Sequence, residues 1–143
     1  KARGFTLVEL LIVIVIIGIL AGSMLLVFGS ATDKAKATRI VSDMRNLKAA
    51  ALMYYADENS WPADFTAVED YMDRTSNTGP EDDITYGFNE GDTSEDCFVE
   101  ATGLDGYDGI VERLNGMRED SGISGATDSD TDVTNTAYMT VAK

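Results

Sequence analysis

The chain has 143 residues, with 11 Lys and Arg against 25 Asp and Glu and no His, a formal net charge of −14 at pH 7. That acidity argues against direct nucleic-acid binding, because gripping phosphates needs clustered cations. The missing histidine removes the commonest general base and metal ligand. The single cysteine, Cys97, can make neither an intrachain disulfide nor a cysteine zinc site. Carboxylate chemistry and oxygen-ligated cations such as Ca²⁺ stay open.

The charges are not evenly spread. Residues 1–29 net +1 and residues 30–56 net +3, whereas residues 57–143 hold 22 acidic against four basic side chains, a net of −18. The chain therefore reads as an apolar start, a mildly basic middle and a strongly acidic remainder.

Residues 10–32 carry no charge, and their apolar side chains fall on every face of a helix. At 1.5 Å per residue, about 20 such residues span a bilayer core of roughly 30 Å. Lys1 and Arg3 precede the run and the acidic bulk follows it, so the positive-inside rule puts the amino terminus in the cytoplasm and the bulk outside. Glu9 stands at the edge of the run, and an unpaired carboxylate in lipid costs several kcal/mol. Arg3 lies six positions away, off the helical contact spacing. Two readings follow: the partner of Glu9 comes from another molecule, or Glu9 sits solvated at headgroup level. A basic start, an apolar run and the small residues Ala21-Gly22-Ser23 also fit a secretory signal, but the apolar run continues past Ser23.

The segment Lys1-Ala2-Arg3-Gly4-Phe5-Thr6-Leu7-Val8-Glu9-Leu10 resembles the cleavage and methylation signature of type IV pilins and of type II secretion pseudopilins. The resemblance implies a leader remnant at residues 1–4, cleavage between Gly4 and Phe5 by a membrane prepilin peptidase, and N-methylation of Phe5. It also implies pairing of Glu9 with the terminal amine of a neighbouring subunit during filament assembly. The implied partners are further copies of the chain, the peptidase and an inner-membrane assembly machinery. The implied location is the bacterial inner membrane and then a surface filament, or the periplasm for a pseudopilin. The family often has a proline late in the span; none occurs here before Pro62, and Gly22-Ser23 is the expected place for any softened turn. Gly18 and Gly22 share a face in the small-xxx-small pattern that lets helices approach closely.

The helix is expected to run to about Glu58. Ala37, Ile40, Val41, Met44, Leu47, Lys48, Ala51, Tyr54 and Tyr55 recur at helical spacing and form the face that packs on a head. Lys34, Lys36, Arg39, Asp43 and Arg45 fall on the other side. Asn59-Ser60-Trp61-Pro62 ends the helix, since Pro disfavours helix in the residue before it. A helix from Phe5 to Glu58 would measure some 80 Å. Residues 62–72 read as a short second helix with Phe65, Val68 and Met72 on one side. Residues 85–88, 97–101 and 137–141 read as strands, and residues 110–114 fit either helix or strand. The expected fold is α+β: a long hydrophobic-then-amphipathic helix on a small antiparallel sheet, pilin-like, with segments 5–29 (membrane and filament core), 30–58 (amphipathic helix) and 59–143 (acidic head). Trp61, Phe65, Tyr71, Tyr86, Phe88, Phe98, Tyr107 and Tyr138 supply a modest core, with Cys97 as a small buried hydrophobe.

Asp128, Asp130 and Asp132 alternate along a loop, a donor spacing that suits Ca²⁺. The glycine and distal glutamate of an EF-hand are missing, and a solvated acidic loop is the plain alternative. Some pseudopilins order this region with Ca²⁺, and a membrane-anchored Ca²⁺-binding module that never polymerises is a further reading. The acids are scattered through turns with no pair set in apolar surroundings, so catalysis is not expected.

Overall fold

The structure is a computed structural model that describes residues 4–74, 76–90, 95–127 and 131–142. By internal contacts the chain forms two units, residues 1–32 and 33–143. Helix α1, Leu7–Glu58, passes from the first unit into the second. It is helical through Gly22-Ser23 in the single chain, where Ser23 Oγ donates to the Leu20 carbonyl within the helix at 2.9 Å. Asn59 ends α1 in a left-handed conformation (φ 53°), its N–H reaching the Tyr55 carbonyl. Asparagine tolerates that conformation better than most residues and is a common helix terminator.

In the second unit the core forms between α1 and a four-stranded antiparallel sheet. The strands are β1 (Thr85–Glu90), β2 (Cys97–Thr102), β3 (Ile123–Ser124) and β4 (Ala137–Ala142), in the order β1-β2-β4-β3. Tyr86 pairs with Ala101 and Val99 with Met139, which sets an inward row against α1, while Thr85 with Thr102 and Glu100 with Tyr138 occupy the other face. From α1 the core takes Ala37, Ile40, Val41, Met44, Leu47, Ala50 and Ala51. Tyr54 is half-buried, whereas Tyr55 is exposed and stacks on Trp61 at 4.2 Å.

Of the aromatic residues assigned to the core, Phe65, Tyr86 and Phe98 are buried, and Trp61, Tyr71, Phe88, Tyr107 and Tyr138 are half-buried. Cys97 is buried at the start of β2.

Some short elements depart from the sequence reading or add to it. Residues 62–72 do not make an α-helix; Phe65–Tyr71 is a 3₁₀ segment. Asp64 caps it, accepting from the Ala67 N–H and the Thr66 hydroxyl. With three residues per turn, side chains at i and i+3 line up. Phe65, Val68 and Tyr71 therefore line up, and Tyr71 and Met72 both pack partly buried against the core. The Tyr71 ring meets Tyr54 edge-on at 6.1 Å and its hydroxyl donates to Asp57 at 2.9 Å. The ambiguous stretch 110–114 lies in helix α2, Asp108–Gly116, which buries Ile110 and Leu114. A four-residue helix, α3 (Arg118–Ser121), and strand β3 follow; Gly122 turns between them at φ 72°.

No disulfide holds the late loop, and backbone contacts do that work. The Asn115 amide grips Val133 at both ends: Nδ2 donates to the Val133 carbonyl at 3.0 Å and Oδ1 accepts from its N–H at 2.7 Å. At Gly125 the backbone comes so close that a Cβ would lie 2.0 Å from the Asp132 carbonyl oxygen, and the Gly125 N–H donates to Thr131. Only glycine fits such an approach. Asn115→Ala leaves two half-buried backbone groups without partners, so it should cost about 1–3 kcal/mol of stability. Thermal melting of the variant checks this, and an unchanged midpoint contradicts it.

Candidate assembly site

At the start of α1, Thr6 and Glu9 hold each other. The Thr6 N–H and hydroxyl both donate to Glu9 Oε2, at 2.8 and 2.6 Å, and the Glu9 N–H donates to Thr6 Oγ1 at 3.3 Å. This is a capping box, in which a Thr and a Glu three residues on satisfy each other's free backbone donors. Glu9 thus has hydrogen-bond partners within its own chain, which the comparison with cations alone did not bring out. These partners are neutral, and Oε1 takes no bond from Thr6. The Thr-x-x-Glu spacing was available in the sequence; it goes unnoticed when Glu9 is compared only with cations.

Gly4 and Phe5 precede the helix and are exposed, Phe5 at 80%. Lys1, Ala2 and Arg3 lie outside the described residues. The large apolar side chains of the first unit, from Leu7 to Met24, are all exposed, between 47% at Val13 and 79% at Leu7. A Cβ added at Gly18 or Gly22 would meet no atom within 4 Å. Nothing in their own unit therefore demands these glycines. Helix α1 is long and apolar enough to cross a membrane.

The second unit is tied to its part of α1 by a half-buried polar cluster. Asp43 was expected on the side of α1 away from the head; its side chain is only 15% exposed, and Oδ2 accepts from the Tyr86 hydroxyl at 3.0 Å. Arg74 pairs with the same oxygen at 3.1 Å and lies over the Tyr86 ring, 5.3 Å from its centroid. Arg39 approaches Asp43 more loosely, at 3.7 Å. Arg74 also donates to the carbonyls of Ser76 and Thr78. The head covers a wider arc of α1 than the apolar spacing marks out, because a carboxylate can be enclosed when cationic and hydroxyl partners meet it.

The basic stretch of α1 is largely engaged with the head as well. Lys36 pairs with Glu81, Arg45 donates to the Asp120 carbonyl at 3.3 Å, and Lys48 donates to the Thr140 carbonyl at 2.7 Å.

Of the three aspartates assigned to Ca²⁺, Asp128 and Asp130 lie outside the described residues. Asp132 is exposed and ion-paired with Arg118 at 2.6 Å. Among the described residues, no group of three or more Asp, Glu, His or Cys is placed to hold a metal ion.

A capped apolar helix of membrane length, continued by an amphipathic half that carries a small antiparallel sheet, defines the pilin-like class of α+β subunits. Comparison with known proteins agrees. The prokaryotic N-terminal methylation motif matches residues 1–25, and the family described as PilW, C-terminal, matches residues 31–136. The chain belongs to that PilW family and carries the methylation motif at its start. It is 40% identical over 63 residues to type II secretion system core protein G of Pectobacterium carotovorum subsp. carotovorum, covering 44% of this chain and 40% of that protein. It is 38% identical over 66 residues to the type IV major pilin protein PilE of Neisseria gonorrhoeae, covering 46% and 40% respectively. The chain thus spans about 40% of the length of these curated relatives. The major type IV pilin PilA1 from Clostridium difficile has the same fold, with a TM-score of 0.56 over 80% of this chain and 99% of that one, at 18% identity.

Burial, and then the negative charge of Asp43, hold the Tyr86 hydroxyl far above the usual phenol range. The stabilisation that goes with this raised value is therefore fully present below the unfolded tyrosine value of about 10 and declines as pH climbs beyond it, while the bond to Asp43 persists in the folded chain. Tyr86→Phe should cost about 1–3 kcal/mol at neutral pH. It should also flatten the fall of stability above about pH 10. Melting curves across that range check both; an alkaline slope equal to wild type contradicts the assignment.

Proposed function

We propose that the chain is a structural subunit of a type IV pilus-like filament, and that its work is assembly rather than catalysis. The observation that carries this reading is the uncovered apolar stretch of α1, whose large side chains are exposed from Leu7 to Met24. Apolar burial is favourable by roughly 25 cal/mol per Å², so a helix bare on all sides needs either lipid or copies of itself. Before assembly the stretch lies in the inner membrane, with the acidic head outside. After a peptidase cuts between Gly4 and Phe5 and the new amine of Phe5 is methylated, the helices of many copies bundle and the heads form the surface of the fibre. Glu9 then offers Oε1 to the Phe5 amine of a neighbour, while Thr6 keeps Oε2. A charge-assisted bond of this kind is roughly twice as strong as a neutral one, and stronger again away from water.

A shorter periplasmic filament of type II secretion is the second reading. It is favoured by the match to core protein G, which is as close as the match to a pilin.

Glu9→Gln separates assembly from capping, because Gln also serves in a capping box. The variant should be made, cleaved to begin at Phe5 and retained in the membrane, yet give at least about tenfold fewer filaments, the loss of roughly one charge-assisted bond. Mass spectrometry of the mature amino terminus and electron microscopy of sheared fractions read the two parts. Wild-type filament yield from Glu9→Gln overturns the role of its charge, and a chain that begins elsewhere overturns the cleavage.

A further inference from the structure

The second unit holds an open groove of about 500 Å³ between the turn that follows β2, the first turns of α2 and the loop that precedes β4. Leu104 and Val133, both buried, close its base, and the half-buried Val111 of α2 gives it an apolar wall. Asp105, Asp108 and Asn135 border it and are exposed. No Lys or Arg lines it. Neither aspartate side chain makes a hydrogen bond or an ion pair among the described residues. The groove is also held open by the fold. The Leu104 N–H donates to the Asn135 carbonyl at 3.1 Å, and the Tyr107 N–H donates to the Leu104 carbonyl at 3.1 Å. The Asn115 amide fixes Val133, and Gly106 turns the chain between the two aspartates at φ 83°. A site whose walls are already in place loses little to ordering when it binds.

Charge and shape choose the occupant. Two unpaired carboxylates beside an apolar wall suit a cation carried on an apolar stem, which is how the Lys and Arg side chains are built. Of the two, a guanidinium fits better. Its planar fork of donors can serve both carboxylates and the Asn135 side chain together, whereas an ammonium is a compact, strongly hydrated point charge. A metal ion fits less well, because Ca²⁺ takes about 6–8 oxygen ligands. Among the described residues no group of three or more acids is placed to hold one. A second head is a poor guest as well, since residues 57–143 net −18 and repel their like. The same charge draws a basic partner towards the groove.

We propose that this groove is a docking site for an arginine side chain presented by a different, basic protein. The guanidinium sits between Asp105 and Asp108, and its aliphatic stem lies along Val111. The site belongs to the head alone and does not depend on the filament reading. It gives the acidic head a specific point of recognition within a charge that is otherwise spread over the whole surface.

The test titrates the full chain in detergent micelles with a blocked tripeptide, arginine between two alanines, and with the same peptide carrying citrulline, the uncharged isostere. The arginine peptide should bind saturably and shift the NMR amide signals of residues 104–111 and 133–135. The citrulline peptide should bind at least about tenfold more weakly, because it loses the charge-assisted bonds. Asp105→Asn combined with Asp108→Asn should weaken the arginine peptide to the same degree. Asp70→Asn combined with Glu119→Gln removes the same charge elsewhere on the head and should bind as wild type does. All four side chains are exposed, so the melting of both double variants should match wild type. Equal binding of the two peptides, no saturable binding of the arginine peptide, or equal loss in the two double variants overturns the proposal. The same shifts from Ca²⁺ alone, with none from the peptide, give the groove to a metal ion and overturn it too. Glu9→Gln should leave arginine binding unchanged, so failure of this site and failure of the filament reading are separate results.

Discussion

An apolar helix that its own chain does not cover is the constraint on which the rest of the protein depends. Each large side chain left in water forgoes roughly 1.5–3 kcal/mol of burial. Thirteen of them between Leu7 and Met24 is a state the isolated chain cannot hold in water. The features around it follow. No charge occurs from residue 10 to residue 32, because a charge there would be costly in lipid and in a helix bundle alike. The free N–H groups at the helix start need partners for the same reason, and the Thr6–Glu9 box supplies them from within the chain. The arrangement uses one carboxylate oxygen of Glu9, Oε2, and leaves Oε1 outside the box.

The second unit meets a different demand: a small, acidic head has to stay folded without a disulfide. Apolar packing between α1 and the sheet is supplemented by polar ties that each join distant parts of the chain. Asp43 draws together Tyr86 of β1 and Arg74 of the loop before it. Lys48 and Arg45 reach carbonyls on β4 and α3, and Asn115 of α2 holds the loop at Val133. The basic stretch of α1 thus spends most of its cations on the head it carries. The surplus negative charge of residues 57–143 is left mainly for the surface of the head, where it favours solubility.

Much of this was legible in the sequence because it is local and periodic. The end of α1 at Glu58, the inward face from Ala37 to Ala51 and three of the four strands follow from spacing and from terminators such as Asn59 and Pro62. What was not legible depends on partners far away in the chain or on short elements without a period. Strand β3 has two residues and exists because β4 offers it an edge. The spacing of Phe65, Val68 and Met72 fits an α-helix as well as a 3₁₀ turn; the cap at Asp64 and the contact of Tyr71 with Tyr54 accompany the tighter turn. Asp43 looks like a solvent-facing acid until Tyr86 and Arg74 arrive from 43 and 31 residues further on. At the assembly site, Gly4, Phe5 and Glu9 stand out in sequence, whereas the hold of Thr6 on Glu9 was missed although its spacing is plain.

The most direct test of the central claim, that copies of this chain cover each other's apolar helices, is a helical reconstruction by electron cryo-microscopy of filaments sheared from cells that make it. The account predicts a lipid-free core in which residues 7–32 of neighbouring copies pack together, with residues 33–143 on the outside. Filaments whose core excludes residues 7–32, or cells in which the chain stays a membrane-bound monomer, would contradict it.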